Sequence, residues 1–366
     1  MRPVSNKNPL RSRAARRRFR APAAVVFAAA SLLMAACGSS GSTQTAESGP
    51  AVSVDEAAWS EIVEAAKAEG SLVVYSSLSD VESSFAQFEE LYPEIDVTIE
   101  RAPTGDLITR LDQELEVNAQ GADLTMHSQS AWFEERYGQN YFAQLKLSPE
   151  QTAAGWEDMV DGVSYAHVFT NAFIFGYNTS TGRPIETMRD VLGTVGGAAI
   201  GVPDAAITPA QTFLYHTWNE AYGDDFLANI CASNKTVYGS NVPLGQSLAA
   251  GEISYGVGLA PSTLLSLKAE GAPVDYVIPA EANTGVGYDA AVLANAAHPN
   301  AAQVFADWLM SERGAEMFTE NHGPASTPIA VEGSIPWGEL PTPADGDWSV
   351  EDHEDFIENV WTPACG

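Results

Sequence analysis

Three short segments concentrate small hydroxyl side chains: Ser76-Ser77-Leu78-Ser79, Arg101-Ala102-Pro103-Thr104 and His127-Ser128-Gln129-Ser130. Thr208, Ser240 and Ser262 stand in comparable places further along, and Tyr288-Asp289 forms a polar pair in an otherwise apolar stretch. Hydroxyls and free backbone N–H groups hydrogen-bond oxygen-rich molecules without reacting with them. The competing reading is that these serines only cap helices, a role Ser fills often. Arg101 can pair an anionic group, Asp289 an amine, and Trp132 can stack on a ring, although its helical spacing suits packing better. His127 stands in the third loop as a lone histidine. Catalytic signatures are missing: the chain has no Gly-x-Ser-x-Gly elbow and no His-Glu-x-x-His helix. Asp345-Gly346-Asp347 starts like a calcium loop, but Val350 and Phe356 stand where the loop needs glycine and glutamate. The acidic cluster Glu351–Asp355 reads as a solvated tail. The residues favour binding over catalysis, with no catalytic residue, no cofactor and no metal ligand assigned.

The patterns around these loops say what must position them. Ser53-x-x-Glu56 reads as a capping box, followed by an apolar face on Trp59, Ile62, Val63 and Ala66 and a stop at Gly70. Leu72–Tyr75 is a short buried strand. Asp80 is placed to cap a helix carrying Val81, Phe85, Phe88 and Tyr92, and Pro93 ends it. Strands at 95–99 and 122–126 bracket a helix on Leu107, Ile108, Leu111 and Leu115, and a further helix carries Trp132 and Phe133. This βαβαβα order predicts parallel strands with right-handed crossovers. Ligands in such sheets sit beyond the carboxyl ends of the strands, where the three hydroxyl-rich loops fall. Strands at 173–177, 198–202, 253–259 and 274–279, with helices around Phe213–Tyr222 and Leu244–Ala250, repeat the logic in a second lobe.

The first 20 residues carry eight Lys or Arg and no acid, and the apolar run Ala23–Ala36 is too short to span a bilayer comfortably. Leu33-Met34-Ala35-Ala36-Cys37 resembles a bacterial lipobox, which implies a signal peptide over 1–36 and a lipid on Cys37. Arg16-Arg17-Arg18-Phe19 also fits a twin-arginine pattern. Residues 37–53 then read as a flexible tether holding a soluble body at the membrane. The whole chain of 366 residues has a net charge of −30; without the eight signal cations it falls to −38. Nucleic-acid binding needs Lys and Arg to neutralise phosphates, so that class is excluded. Acidity of this kind also arises as a salt adaptation. In an exported protein Cys231 and Cys365 are expected to pair as a disulfide.

In this order, the segments LVVYSSLSDVESSFAQFEELYPEIDVTIERAPTGDL, GADLTMHSQSAWFE, FIFGYNTS, YGSNVPLGQSLAAGEISYGVG and AAVLANAAHPNAAQVFADWLMSERGAEMF resemble the extracellular solute-binding proteins of ABC importers. The likeness covers about residues 71–318 and is to the group related to ferric-iron binders. It implies an α/β, two-lobed periplasmic-binding-protein fold of type II. Each lobe is then a mostly parallel sheet flanked by helices, with ligand held between the lobes. Lobe one is expected to take residues 54–172 and 286–318, and lobe two 176–280. The crossings fall near Asn171–Tyr177 and Tyr288–Leu293. The tail, 319–366, is expected to return to lobe two, which a Cys231–Cys365 bridge would explain.

The resemblance also allows the iron question to be put to individual positions. The family's iron binders supply a histidine, a glutamate and an adjacent tyrosine pair. Those places fall on Ser79, Ser128 and Pro261-Ser262 here, and no Tyr-Tyr pair exists in the chain. The expected ligand set is therefore Ser76, Ser77, Ser79, Thr104, His127, Ser128, Ser130, Thr208, Ser240, Ser262, Tyr288 and Asp289. The expected ligand is a small polar organic solute, passed by a monomeric, membrane-anchored binder to an ABC permease. A ferric-ion or iron-chelate binder of the same family is the alternative, and a ligand receptor for a sensor kinase is the second.

Overall fold

The computed structural model describes residues 48–366 apart from 80, 161, 186, 188, 192–198 and 345–347, and apart from the side chains of Glu82, Ser83 and Val350. The expectations for Cys37, the signal, most of the tether, the Asp80 cap and the Asp345–Asp347 turn therefore lie outside the described residues.

Helix α1 (Glu56–Glu69) follows the short strand β1 (Val52–Ser53). Its cap is Asp55, whose carboxylate accepts from the Ala58 N–H at 2.9 Å, so the expected Ser53/Glu56 capping box does not form. Asp55 is two residues closer to the first free N–H groups, and a carboxyl acceptor there also meets the positive end of the helix. Gly70 ends the helix at φ 67°, a left-handed conformation that favours glycine.

The chain then runs β2 (Ser71–Ser76), α2 (Val81–Leu91), β3 (Asp96–Arg101), α3 (Thr104–Glu116), β4 (Leu124–His127) and α4 (Ser130–Tyr137). Strands β2, β3 and β4 are parallel, as the alternating pattern requires. Strand β5 (Lys146–Leu147) pairs with β1, and two short helices, α5 (Pro149–Ala153) and α6 (Trp156–Met159), lead into β6 (Ala166–Ala172). A single residue, Phe173, joins β6 to β7 (Ile174–Asn178), which lies in a different sheet.

The second sheet adds β8 (Ile200–Pro203), α7 (Pro209–Tyr222), α8 (Phe226–Cys231), β9 (Lys235–Tyr238), α9 (Asn241–Ala250), β10 (Tyr255–Leu259), α10 (Ser262–Ala269) and β11 (Val274–Val277). Strand β12 (Gly285–Val292) returns to the first sheet beside β6. The two crossings touch where the Phe173 N–H donates to the Thr284 carbonyl at 3.2 Å. The return thus begins about a turn of chain before Tyr288. Helices α11 (Pro299–Leu309) and α12 (Glu312–His322) and the short β13 (Ala325–Ser326) complete the first sheet's side.

The strand orders are β13-β6-β12-β4-β2-β3 and β11-β7-β10-β8-β9. Both sheets are mixed, which corrects the expectation of mostly parallel lobes. Parallel pairing is confined to β2, β3 and β4 in one sheet and to β8, β9 and β10 in the other; β12 runs antiparallel to both β4 and β6, and β7 to both β10 and β11. A strand that arrives from the other lobe needs no helical crossover, so nothing compels it to run parallel.

The first sheet is buried on both faces. Phe85, Phe88, Phe305 and Trp308 meet edge-on between α2 and α11, with Phe88 and Phe305 centred 4.9 Å apart. Leu111, Phe133 and Phe142 fill the opposite face. The second sheet has its own core on Phe175, Leu214, Trp218, Leu227 and Val257. The tail divides between the two. Strand β13 pairs with β6, whereas α13 (Val350–Phe356), a π turn (Ile357–Trp361) and α14 (Thr362–Cys365) pack on the second core, where Trp361 stacks on Tyr215 at 5.1 Å. Cys365 is bonded to Cys231, with their Cα atoms 5.1 Å apart.

Candidate functional site

A cleft of about 430 Å³ lies where the loops after β2, β3 and β4 face the helix starts of the second sheet. Ser77, Ser79, Thr104, Ser128, Thr208, Ser240, Ser262 and Tyr288 all line it, so hydroxyls from both halves of the chain meet at one place. The strands deliver them: parallel pairing of β2 with β3 and β4 brings three carboxyl ends level, and the Thr104 and Ser128 hydroxyls come within 3.3 Å. Thr208 and Ser240 also cap helices, accepting from the Gln211 and Val242 N–H groups at 3.2 and 3.3 Å. The capping and lining readings hold together for these two residues.

Four expected residues sit elsewhere. Ser130 starts α4 and lines a neighbouring hollow of about 360 Å³, which meets the cleft at Ser128. Ser76 is buried under the loop, its hydroxyl accepting from the Leu78 N–H at 3.2 Å. His127 is fully buried against Phe133, at 4.4 Å, and Trp132. Burial lowers its pKa to about 3, outweighing the pull of Asp289 and Asp112, so the ring is neutral. Asp289 turns away from the cleft, and its carboxylate is 2.8 Å from His167 Nδ1. His167 Nε2 in turn lies 2.8 Å from the Thr170 hydroxyl. Trp132 packs in the core and donates to Asp112 at 2.9 Å.

Tyr288 is the aromatic residue of the crossing strand that does reach the cleft. Burial pushes its phenol up to about 12, although Arg101 opposes the shift. At neutral pH it is a protonated hydrogen-bond donor and not a phenolate. Tyr255 is buried in the second lobe, and its hydroxyl accepts from the Arg183 N–H at 3.2 Å. Among the described residues, no three His, Cys, Asp or Glu side chains come together to hold a metal ion.

Asn171, Gln211 and Asn241 are among the cleft residues that the sequence reading did not assign. Each has a buried side-chain atom without a hydrogen-bond partner, as does Ser77: Oδ1 of both asparagines, Nε2 of Gln211 and Oγ of Ser77. Buried polar atoms are seldom left unpaired, because each forfeits its hydration. All four atoms belong to residues that line the one cleft. A polar residue inside the apolar run from Val168 to Phe175 was the available signal for Asn171. Gln211 and Asn241 lie on first helical turns and had none.

Two lobes joined by paired crossing strands, with a polar cleft between them, define a periplasmic binding protein. Residues 72–323 match the bacterial extracellular solute-binding protein family, and the chain belongs to it. The substrate-binding protein of an ABC transporter from Agrobacterium tumefaciens has the same fold, with a TM-score of 0.67 at 19% identity over 81% of this chain and 94% of that one. Iron-bound HitA from Pseudomonas aeruginosa gives 0.59 at 17% identity, covering 79% and 97%. AfuA from Actinobacillus pleuropneumoniae, with fructose-6-phosphate bound, gives 0.59 at 17%, covering 81% and 98%. Identities this low carry the fold alone. No helix among the described residues is long and apolar enough to cross a membrane.

Proposed function

We propose that this protein is the membrane-anchored binding component of an ABC importer, which closes two lobes over a small polar organic solute and presents it to the permease. The observation that carries this reading is the cluster of unpartnered buried polar atoms on Ser77, Asn171, Gln211 and Asn241 around one cavity. Lobe one comprises 54–172 and 286–318, lobe two 176–280, and the lipid sits on Cys37. The related fold accommodates iron in one protein and fructose-6-phosphate in another. The cleft residues must therefore select the ligand. Serine at positions 79, 128 and 262, a protonated Tyr288 and no acid among the described lining all favour an organic solute over a bare ferric ion.

The test is a thermal-shift screen against sugars, phosphonates, amino acids, polyamines and ferric citrate, followed by solution scattering with each hit. A solute bound only by the folded state at a hundredfold excess over its Kd stabilises it by about 2.7 kcal/mol. Compaction of the scattering envelope with the same solute supports closure. A shift with ferric citrate alone would return the protein to the iron-binding group.

A further inference from the structure

The charge of the cleft is opposite to that of the molecule. The chain carries 48 Asp and Glu against 18 Lys and Arg, yet the described residues lining the cleft include no acid and one cation, Arg101. Arg101 forms no ion pair among the described residues. Its side-chain hydrogen bond among the described residues is a long one, from Nε to the Leu78 carbonyl at 3.4 Å. An exposed guanidinium at a cavity without acids among its described lining residues attracts anions that the rest of the surface repels.

Two helices begin on facing walls of this cavity, α3 at Thr104 and α10 at Ser262. The residue before each is proline, Pro103 and Pro261, and neither start has a capping side chain. Proline offers no side-chain oxygen, so the first N–H groups lack the acceptor that Asp, Thr and Ser supply at α1, α7 and α9. Orphan N–H groups at a helix start suit an anion. One buried amide adds independent evidence. Asn171, 4% exposed, leaves Oδ1 without a partner and needs a donor.

We infer that the cleft takes an anionic polyhydroxylated solute, a proposal that rests on the solute-binding reading above. The phosphate or carboxylate group lies between Arg101 and the starts of α3 and α10. A hydroxyl of the solute donates to Asn171 Oδ1. A cavity of about 430 Å³ suits a ligand of hexose-phosphate size.

Isothermal titration of the purified protein with glucose 6-phosphate, glycerol 3-phosphate, gluconate, glucose and spermidine tests this. At least one of the three anions is expected to bind about tenfold or more tighter than glucose, since hydrogen bonds to a charged group are the stronger kind. Its affinity should fall as salt rises. Arg101→Gln should weaken that anion by about tenfold or more with the melting temperature of the free protein unchanged. Arg313→Gln, on α12, should leave its affinity as it was. The phosphate esters and gluconate separate a phosphate from a carboxylate requirement. Binding of glucose or spermidine with closure, and of none of the anions, overturns the anionic class while keeping the solute-binding reading. No binding by any of the three anions to folded protein also overturns it. Anion binding unaffected by Arg101→Gln overturns the placement.

Discussion

The ring of Tyr288 lies parallel to that of Phe169, centroids 4.8 Å apart and 2° between planes, and Phe169 stacks in turn on Phe318 at 4.0 Å. Three rings thus tie the cleft face of the crossing strand β12 to β6 and then to helix α12. The phenol of Tyr288 is held at the cavity wall by packing, with its hydroxyl left for the cavity.

Tyr288→Phe keeps the stack and removes the hydroxyl. Its melting temperature should match the parent, while affinity for a bound solute falls. Tyr288→Ala removes the ring as well and should cost about 3 kcal/mol of stability. Chemical denaturation of the two variants separates the roles, and equal loss in both would mean that the hydroxyl is structural.

Gly287 stands one residue earlier on the same strand, and a Cβ there would meet His167 Cε1 at 2.4 Å. Gly287→Ala should push His167 away from Asp289, stranding a buried carboxylate whose Oδ2 already lacks a partner. Loss of about 1–3 kcal/mol is expected. Replacing His167 by Ala in the same background should restore none of it. Unaltered stability in Gly287→Ala would show that the histidine moves aside freely.

His127 makes acid stability testable. Its folded pKa is about 3, below the ordinary histidine value. Above the ordinary value both states are neutral and the residue contributes nothing. As pH falls below it, the unfolded chain takes up a proton that the folded one refuses, and stability drops by about 1.4 kcal/mol per pH unit until the folded pKa is reached. His127 Nδ1 accepts from the Gln129 N–H at 3.3 Å, and His127→Asn keeps an acceptor there while removing the proton site. Stability measured from pH 6 to pH 4 should fall less steeply in this variant than in the parent; parallel curves would refute the assignment.

The Cys231–Cys365 bond closes a loop spanning 134 positions. Removing it through a Cys231→Ala, Cys365→Ala pair should cost about 2–5 kcal/mol. The loss should appear in thermal melts, with the C-terminal helices gaining hydrogen-exchange rate first. Intact mass under denaturing alkylation should find neither thiol free.

Much of the first lobe was legible because period and punctuation agree there. Gly70 and Pro93 end helices where apolar stripes end, and the three hydroxyl-bearing loops follow strands that pair in parallel. Strand β6 was not read, since Ala166–Ala172 mixes His, Thr and Asn into an apolar run with no alternation. The mixed sense of both sheets was also hidden: strand direction depends on which lobe a strand arrives from, and local pattern does not carry that.

The chain by itself determined which elements form and that hydroxyl-rich loops end the strands, because those follow from local propensity and from the geometry of βα units. Only the tertiary structure decided which polar groups face the cavity. It buried Ser76 and His127, turned Asp289 towards His167, and brought Asn171, Gln211 and Asn241 to the wall beside Arg101. A side chain's share of a site depends on which face of the sheet it leaves from and on what packs behind it, and those partners lie up to hundreds of residues away in sequence.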